Sequence, residues 1–423
     1  MKSNAAKAVR GDLAPLFRKA LGTQAASPNI HEKRAAVALA LVDDATQHRA
    51  SDIHIEPQSA KSRIRFRIDG IMADVADTSK EAAQVLINQF KAMAGLDPIV
   101  RFTPRDAHAH VQMAEASADL RLALTPCQNG EALSLRILDP RRLERTIDDL
   151  GLGEASLQRL EQWLENVKGM FLAAGPTGAG KTTTIYSLLH ELKYHDRNIV
   201  SLEDPVEYQI DGITQVQLDE KHHFSFAEGV KAMLRLDPDY IMLGEIRDGA
   251  SAHAAINAAL SGRVLLSTIH SRDAVGTLTA MRNWGLADHE IAESLTVVVA
   301  QRLVRKLCPN CRAKGKPEPG EIAWLRSFGL SAPRKAWKPV GCAKCNHLGF
   351  LGRTGIFEFW QLDGADYDLI LAHANEHEIR DHLATRKHDS LVVDGLAKAS
   401  AAVTTLGEVR RMSGGPIPAQ LRV

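Results

Sequence analysis

The chain has 423 residues, 45% of them hydrophobic, which is enough core material for two or three domains. Lys+Arg 52 against Asp+Glu 51 leaves a formal charge of +1, excluding a global electrostatic drive toward nucleic acid or an anionic membrane. No apolar stretch reaches the roughly 20 residues that span a bilayer, and Met1 to Lys7 is not followed by an apolar signal region, so a cytosolic protein is expected.

Residues 1–30 mix Arg, Lys, Ala and Leu without a sustained period and read as a short arm, with an amphipathic turn near Leu13 to Leu21. A helix is expected from Arg34 to Thr46, then a strand over Ser51-Asp-Ile-His-Ile-Glu-Pro57 that stops at the proline. In Arg63-Ile-Arg-Phe-Arg-Ile68 the apolar residues fall on one face and Arg63, Arg65 and Arg67 on the other, before Asp69-Gly70 turns the chain. These arginines either pair across strands with Asp52, His54 and Glu56 or form a ladder aimed at a nucleotide. Ala118 to Leu124 and Ala132 to Leu138 read as further strands carrying Arg121 and Arg136, giving an α+β domain over 31–139. The lone Cys127 is expected as a buried thiol. Pro140-Arg-Arg-Leu-Glu-Arg145 is charged and breaks the period, so a linker is expected over 140–150.

Gly175-Pro176-Thr177-Gly178-Ala179-Gly180-Lys181-Thr182 is a complete phosphate loop between an apolar strand, Met170 to Ala174, and a helix-like stretch, Thr183 to Tyr194. Its glycines let backbone amides turn toward phosphates, Lys181 reaches the β and γ phosphates, and the Thr182 hydroxyl suits magnesium. Three more apolar strands each deliver polar groups at their carboxyl ends, where open α/β sheets bind ligands. They deliver Glu203 and Asp204, then Glu245, then Thr268 and His270. Many phosphate-loop ATPases carry an aspartate at the position of Gly244, which holds the magnesium shell. Glu203 or Asp204 takes that duty in this reading, leaving Glu245 to orient and polarise water. His270 is either a core histidine or a γ-phosphate sensor. Arg235 and Arg247 serve phosphates or pair with Asp237 and Asp248.

Cys308-Pro-Asn-Cys311 and Cys342-Ala-Lys-Cys345 suit one tetrahedral structural zinc. A redox role would use a single pair at a helix start, and a catalytic zinc would leave its fourth position open. The stretch between the pairs is basic and carries Trp324 and Trp337, consistent with a docking surface or with a solvated face. Helices are expected from Ala365 to Ser413.

With Ser51 to Pro57, the phosphate loop, Glu203-Asp-Pro-Val-Glu-Tyr208, Gly244-Glu-Ile-Arg-Asp248, Ser267-Thr-Ile-His270 and Gly352-Arg-Thr-Gly-Ile-Phe-Glu358, the chain resembles the ATPases of type II secretion and type IV pilus assembly from about residue 35 to its end. The resemblance implies a RecA-like core over 151–306, a PAS-like first domain, a tetracysteine zinc element over 307–352 and a helical region over 353–423. It implies ATP, Mg2+ and structural Zn2+ as cofactors, and a homo-hexamer that is cytoplasmic and peripheral on the bacterial inner membrane. An inner-membrane platform protein is the implied partner, and no direct nucleic-acid contact is expected. Arg63, Arg67 and Arg121 match first-domain arginines that approach the triphosphate in that family, and the zinc element favours assembly over retraction. The carboxy-terminal region would pack between subunits. The family often carries a further amino-terminal domain, and with so short an arm before residue 31 none is expected here.

The chain also departs from the family pattern. Ala107 and His108 stand where a glycine and an arginine are usual, Ala132 where an arginine is, Arg272 for asparagine and Leu236 for glutamine. These departures imply altered tuning. Two other functions compete with an assembly motor. A nucleotide-binding scaffold without turnover is opposed by the intact Lys181, Glu203, Glu245 and His270. A nucleic-acid motor is opposed by the near-neutral charge and the lack of aromatic stacking platforms.

Overall fold

The computed structural model describes residues 30–112, 117–138, 145–193, 196–218, 224–386 and 388–413, so the expected arm and residues 139–144 of the expected linker lie outside the described residues. The described residues divide into two compact units. One gathers the described residues within Met1–Arg142, Leu307–Ala313 and Pro339–Gly352, and the other those within Leu143–Lys306, Lys314–Lys338 and Arg353–Val423.

In the first unit, α1 (Ile30–Gln47) leads into β1 (Ala50–Pro57), β2 (Ser62–Ile68) and β3 (Ile71–Thr78). After α2 (Lys80–Met93), β4 (Arg105–Gln112), β5 (Ser117–Cys127) and β6 (Gly130–Leu138) complete an antiparallel sheet in the order β3-β2-β1-β6-β5-β4. The β2 to β3 reversal occurs at Asp69 and Gly70, both with positive φ (49° and 82°), the geometry of a two-residue hairpin. Alternation decides which sheet face is covered. Ile53, Ile55, Ile64, Phe66, Leu122 and Leu135 form one buried core with Val37 and Leu41 of α1 and Leu86 and Phe90 of α2. Ser79 caps α2 by accepting from the Ala82 amide.

The opposite face is charged, and the strand register pairs it. His54 lies opposite Arg65, Glu56 opposite Arg63 and Asp52 opposite Arg67. Arg63 and Arg65 both bind Glu56, the first at 3.1 Å, while Asp52 takes Arg67 at 3.4 Å and Arg136 at 3.3 Å. Arg121 sits between His108 and Arg136 in the register. Cys127 is exposed, correcting the expectation of a buried thiol. Alternation along β5 puts Cys127 on the face of Arg121, Ala123 and Thr125, opposite the buried Leu120, Leu122 and Leu124, where it pairs with Gly130 at the hairpin end.

The second unit holds α3 (Glu154–Glu165), β7 (Met170–Ala174), α4 (Lys181–Leu192), β8 (Ile199–Glu203), β9 (Thr214–Gln217), α5 (Phe226–Leu234) and β10 (Tyr240–Ile246). It continues with α6 (Gly249–Leu260), β11 (Val264–Ile269), α7 (Ala274–Asn283), α8 (Asp288–Ser294) and β12 (Leu295–Leu307), whose last residue belongs to the first unit. Beyond α9 (Pro319–Arg326) come β13 (Phe350–Gln361), α10 (Gly364–Leu371), α11 (Glu376–Thr385), α12 (Leu391–Ser400) and α13 (Leu406–Ser413). The sheet order is β13-β12-β7-β11-β10-β8-β9, with parallel pairing around β7.

Every residue of β7 is buried because helices cover both sheet faces. Met170, Leu172 and Ala174 face α5 to α8, α10 and α11, while Phe171 and Ala173 face α3 and α4. The expected helices after Ala365 are α10 to α13. Ile370, Ile379 and Leu383 join the central core, and Leu391, Leu406 and Val409 join a smaller one with Val304 and Ile356. Trp324 belongs to that smaller core and is 5% exposed, which corrects its place in a docking surface. Helix α9, absent from the sequence reading, turns it inward. Among the described residues no helix is long and apolar enough to cross a membrane.

In the first unit a charged pair is fully enclosed. Lys91 and Glu131 are buried, with Nζ 2.6 Å from Oε1, and Nζ also donates to the Val100 carbonyl at 2.8 Å. Replacing Lys91 by Met strands the carboxylate and should cost about 3–5 kcal/mol in urea unfolding, whereas Lys91→Met with Glu131→Leu should regain most of it. A single variant as stable as the parent would contradict this account of the pair.

Candidate nucleotide site and cysteine centre

The phosphate loop leaves β7 with a Gly175 amide bond to the Ile269 carbonyl (3.1 Å) and enters α4 through Gly180, whose φ of 92° puts a glycine at the helix N-cap. Gly175 has φ 154°, and a Cβ there would lie 2.7 Å from the Gln301 carbonyl oxygen. Pro176, Thr177 and Gly178 form the exposed crest, Ala179 is buried, and Thr182 is half-buried in the first turn of α4.

Beneath the loop, β12 supplies two residues that the motif reading missed. Gln301 donates its side-chain amide to the Ala179 carbonyl (2.9 Å) and accepts from the Thr184 hydroxyl (2.8 Å). Arg302, also buried, donates to the Gln301 carbonyl at 2.8 Å. Their signal in the sequence is a glutamine and an arginine inside the apolar run from Val297 to Val304, where burial demands a partner.

Lys181 is 8% exposed, and its ammonium donates to the Gly175 carbonyl (2.7 Å) and approaches His270 Nδ1 at 3.3 Å. Burial pushes its pKa down, Glu245 opposes that shift, and Arg302 adds to it. An ammonium only donates, so Nδ1 is the acceptor in that contact, while Nε2 lies against Glu245 Oε1. The His270 side chain is 47% exposed, so it is not a core histidine.

Glu245 stands free of the ladder because the register between β10 and β11 shifts between Leu243 and Ile246. Thr268 holds that bulge by donating to the Gly244 carbonyl at 2.8 Å. Arg247 then donates to Glu245 (3.1 Å) and Asp204 (3.3 Å), joining the two acids. The expected alternative partner of Arg247, Asp248, instead caps α6 through the Ser251 amide at 2.8 Å.

Glu203 is enclosed, with 3% exposure. One carboxylate oxygen accepts from Ser201 (2.6 Å) and Gln215 (3.1 Å), and the other from the Tyr186 hydroxyl. Burial and the adjacent carboxylate push the Tyr186 pKa well above the usual phenol range, so it remains the donor. Asp204, next along the chain, is exposed. The structure thus joins Lys181, His270, Glu245, Arg247 and Asp204 in one polar chain at the strand ends and turns the Glu203 carboxylate into a closed cage. Arg63, Arg67 and Arg121 belong to the first unit.

Within the first unit, the thiols of Cys308, Cys311, Cys342 and Cys345 lie within 4.8 Å of one another. Three sulfur separations are 3.8, 3.7 and 3.8 Å. Zn–S bonds of about 2.3 Å give a tetrahedral edge of about 3.8 Å, whereas a disulfide requires about 2.05 Å. The sulfurs therefore fit a tetrahedral thiolate site. Backbone amides of Gly341, Cys342 and Gly349 point at Cys311 and Cys345 sulfurs at 3.2 to 3.3 Å. Burial raises the Cys345 pKa, but the Cys342 and Gly349 amides and the thiols of Cys311 and Cys342 outweigh it and bring it to about 7.

The comparisons agree with this architecture. A family model described as "Type II/IV secretion system protein" matches residues 32–411, nearly the whole chain. The chain belongs to that family. It is 37% identical to type II secretion system protein E of Aeromonas hydrophila, over 88% of this chain and 74% of that protein. It has the same identity and the same coverages with the type II secretion system ATPase E of Vibrio cholerae. In fold it is similar to the ATPase DotB of Legionella pneumophila, with a TM-score of 0.65 and 18% identity over 92% of this chain and 97% of that one. Membership and the complete phosphate loop make this secretion-system protein an ATPase.

Proposed function

We propose that this family member works as a hexamer that hydrolyses MgATP and couples each turnover to the assembly of pilin or pseudopilin subunits, docked through an inner-membrane platform protein on the cytoplasmic face. The single observation that carries the hydrolytic part is the continuous contact from Lys181 through His270 to Glu245 at the phosphate loop. The mechanical part rests on the family to which the chain belongs.

In this reading the loop amides and Lys181 hold the β and γ phosphates. Glu245 orients the attacking water and accepts its proton. A γ-phosphate draws Lys181 toward itself and away from Gly175 and His270, so the imidazole reports its presence. Thr182 and Asp204 offer the hard oxygen donors that magnesium prefers, and the ion neutralises phosphate charge when bound. Glu203 has every carboxylate oxygen engaged, so we assign it to anchoring Asp204 at the strand end instead of to magnesium or water. Arg63, Arg67 and Arg121 remain the first-unit candidates for the triphosphate. Arg63 and Arg67 must exchange Glu56 and Asp52 for phosphate to act there.

Glu245→Gln should reduce ATP turnover by about 100-fold or more while ATP affinity changes by less than about threefold. Parallel loss of binding and turnover in filter-binding and phosphate-release assays would contradict the assignment.

The four thiolates would hold zinc as a structural ion, closing the loop from Leu307 to Gly352 without an open coordination position. Elemental analysis of the purified chain should find about one zinc per chain, and Cys345→Ser should remove it and lower the thermal midpoint. A metal-free protein of undiminished stability would exclude this role.

A further inference from the structure

His270 is exposed at the end of β11, yet its approach to Lys181 and Glu245 is defined. The residues that follow it provide the reason. Arg302, already joined to the loop through Gln301, extends its second nitrogen to the Arg272 carbonyl at 2.5 Å. The Arg272 side chain then donates to Glu376 on α11 at 2.9 Å and to Asp273 at 3.2 Å. Arg380, one turn further along α11, closes the set with bonds to Asp273 (2.9 and 3.0 Å) and to Glu376 (3.2 Å). Thr279 of α7 donates to the other Glu376 oxygen at 2.8 Å.

Two guanidiniums and two carboxylates thus alternate in a neutral, partly buried cluster. Burial raises the Asp273 pKa, but Arg380, the Gly276 amide and Arg272 outweigh it and hold the carboxyl below its ordinary value. Packing already attaches α11 through Ile379 and Leu383. The charged cluster adds to that attachment. Its added effect is directional, because it fixes the chain two and three residues beyond His270 to a helix of the carboxy-terminal region.

We propose that Arg272 and Glu376, supported by Asp273 and Arg380, are positioning residues for ATP hydrolysis: they set the reach of His270 between Lys181 and Glu245, so the seating of α11 controls turnover. None of the four touches the reacting atoms in this account. They act through the main chain at Arg272 and the strut from Arg302. The inference rests on the hydrolytic reading of Glu245 and His270.

The test is a double-mutant cycle on the full chain with Arg272→Ala, Glu376→Ala and the pair, using His377→Ala on the exposed side of α11 as the control. Each single variant should lower kcat by roughly 3- to 30-fold, the double should be no slower than the worse single, and ATP affinity should stay within about twofold. Glu376→Gln, which keeps the shape of the side chain, should fall between the parent and Glu376→Ala, and His377→Ala should match the parent. Unchanged kcat in Arg272→Ala, losses that multiply in the double, or an equal loss of ATP affinity would overturn the proposal. So would His377→Ala being as slow as Glu376→Ala. Failure of Glu245→Gln to slow hydrolysis would instead remove the reading on which this inference rests.

Discussion

The site is organised around one unfavourable act, the removal of the Lys181 ammonium from water. A buried cation needs compensation. The Gly175 carbonyl and the His270 ring supply it at close range, and the Glu245 carboxylate supplies it as field. The other arrangements follow from that need. Gly175 must lack a side chain because the Gln301 backbone crowds it, Arg302 braces that backbone, and the β10 bulge swings Glu245 out of the ladder toward the histidine. A γ-phosphate is a better partner for this ammonium than a carbonyl and a ring nitrogen. Binding and sensing therefore share one side chain.

The two glutamates at the strand ends show how similar residues acquire different duties. Glu203 lies inside the sheet and must have both carboxylate oxygens hydrogen-bonded, which Ser201, Gln215 and Tyr186 achieve. Glu245 is only partly buried and keeps its reach toward His270 and Arg247. The same logic orders the cysteines. Their sulfurs converge at tetrahedral spacing, and the two amides aimed at Cys345 favour its thiolate.

The strands that carry chemistry were legible because each is an apolar run with an abrupt polar end: Ile199 to Leu202 before Glu203, Tyr240 to Leu243 before Glu245, and Val264 to Ser267 before His270. The strand of Arg63, Arg65 and Arg67 was legible from its period of two. Strand β4 was not, since its residues Asp106, His108 and His110 offer no apolar face strong enough to mark it. Helix α2 was missed although Ser79 and the spacing of Ala83, Leu86, Ile87 and Phe90 announce it. Cys127 misled because cysteine is commonly buried, while its odd position in β5 shares the uncovered face with Arg121, Ala123 and Thr125. The cage around Glu203 was illegible in principle. Its donors come from positions 186, 201 and 215, and only the packed sheet brings them together.

The central claim is that the Lys181, His270 and Glu245 contact is hydrolytic machinery and not a structural bond. Single-turnover hydrolysis by His270→Ala, with ATP and ADP affinities measured on the same protein, tests it most directly. The account predicts a rate lower by about 10- to 1,000-fold with ADP affinity preserved. A rate equal to that of the parent would contradict it.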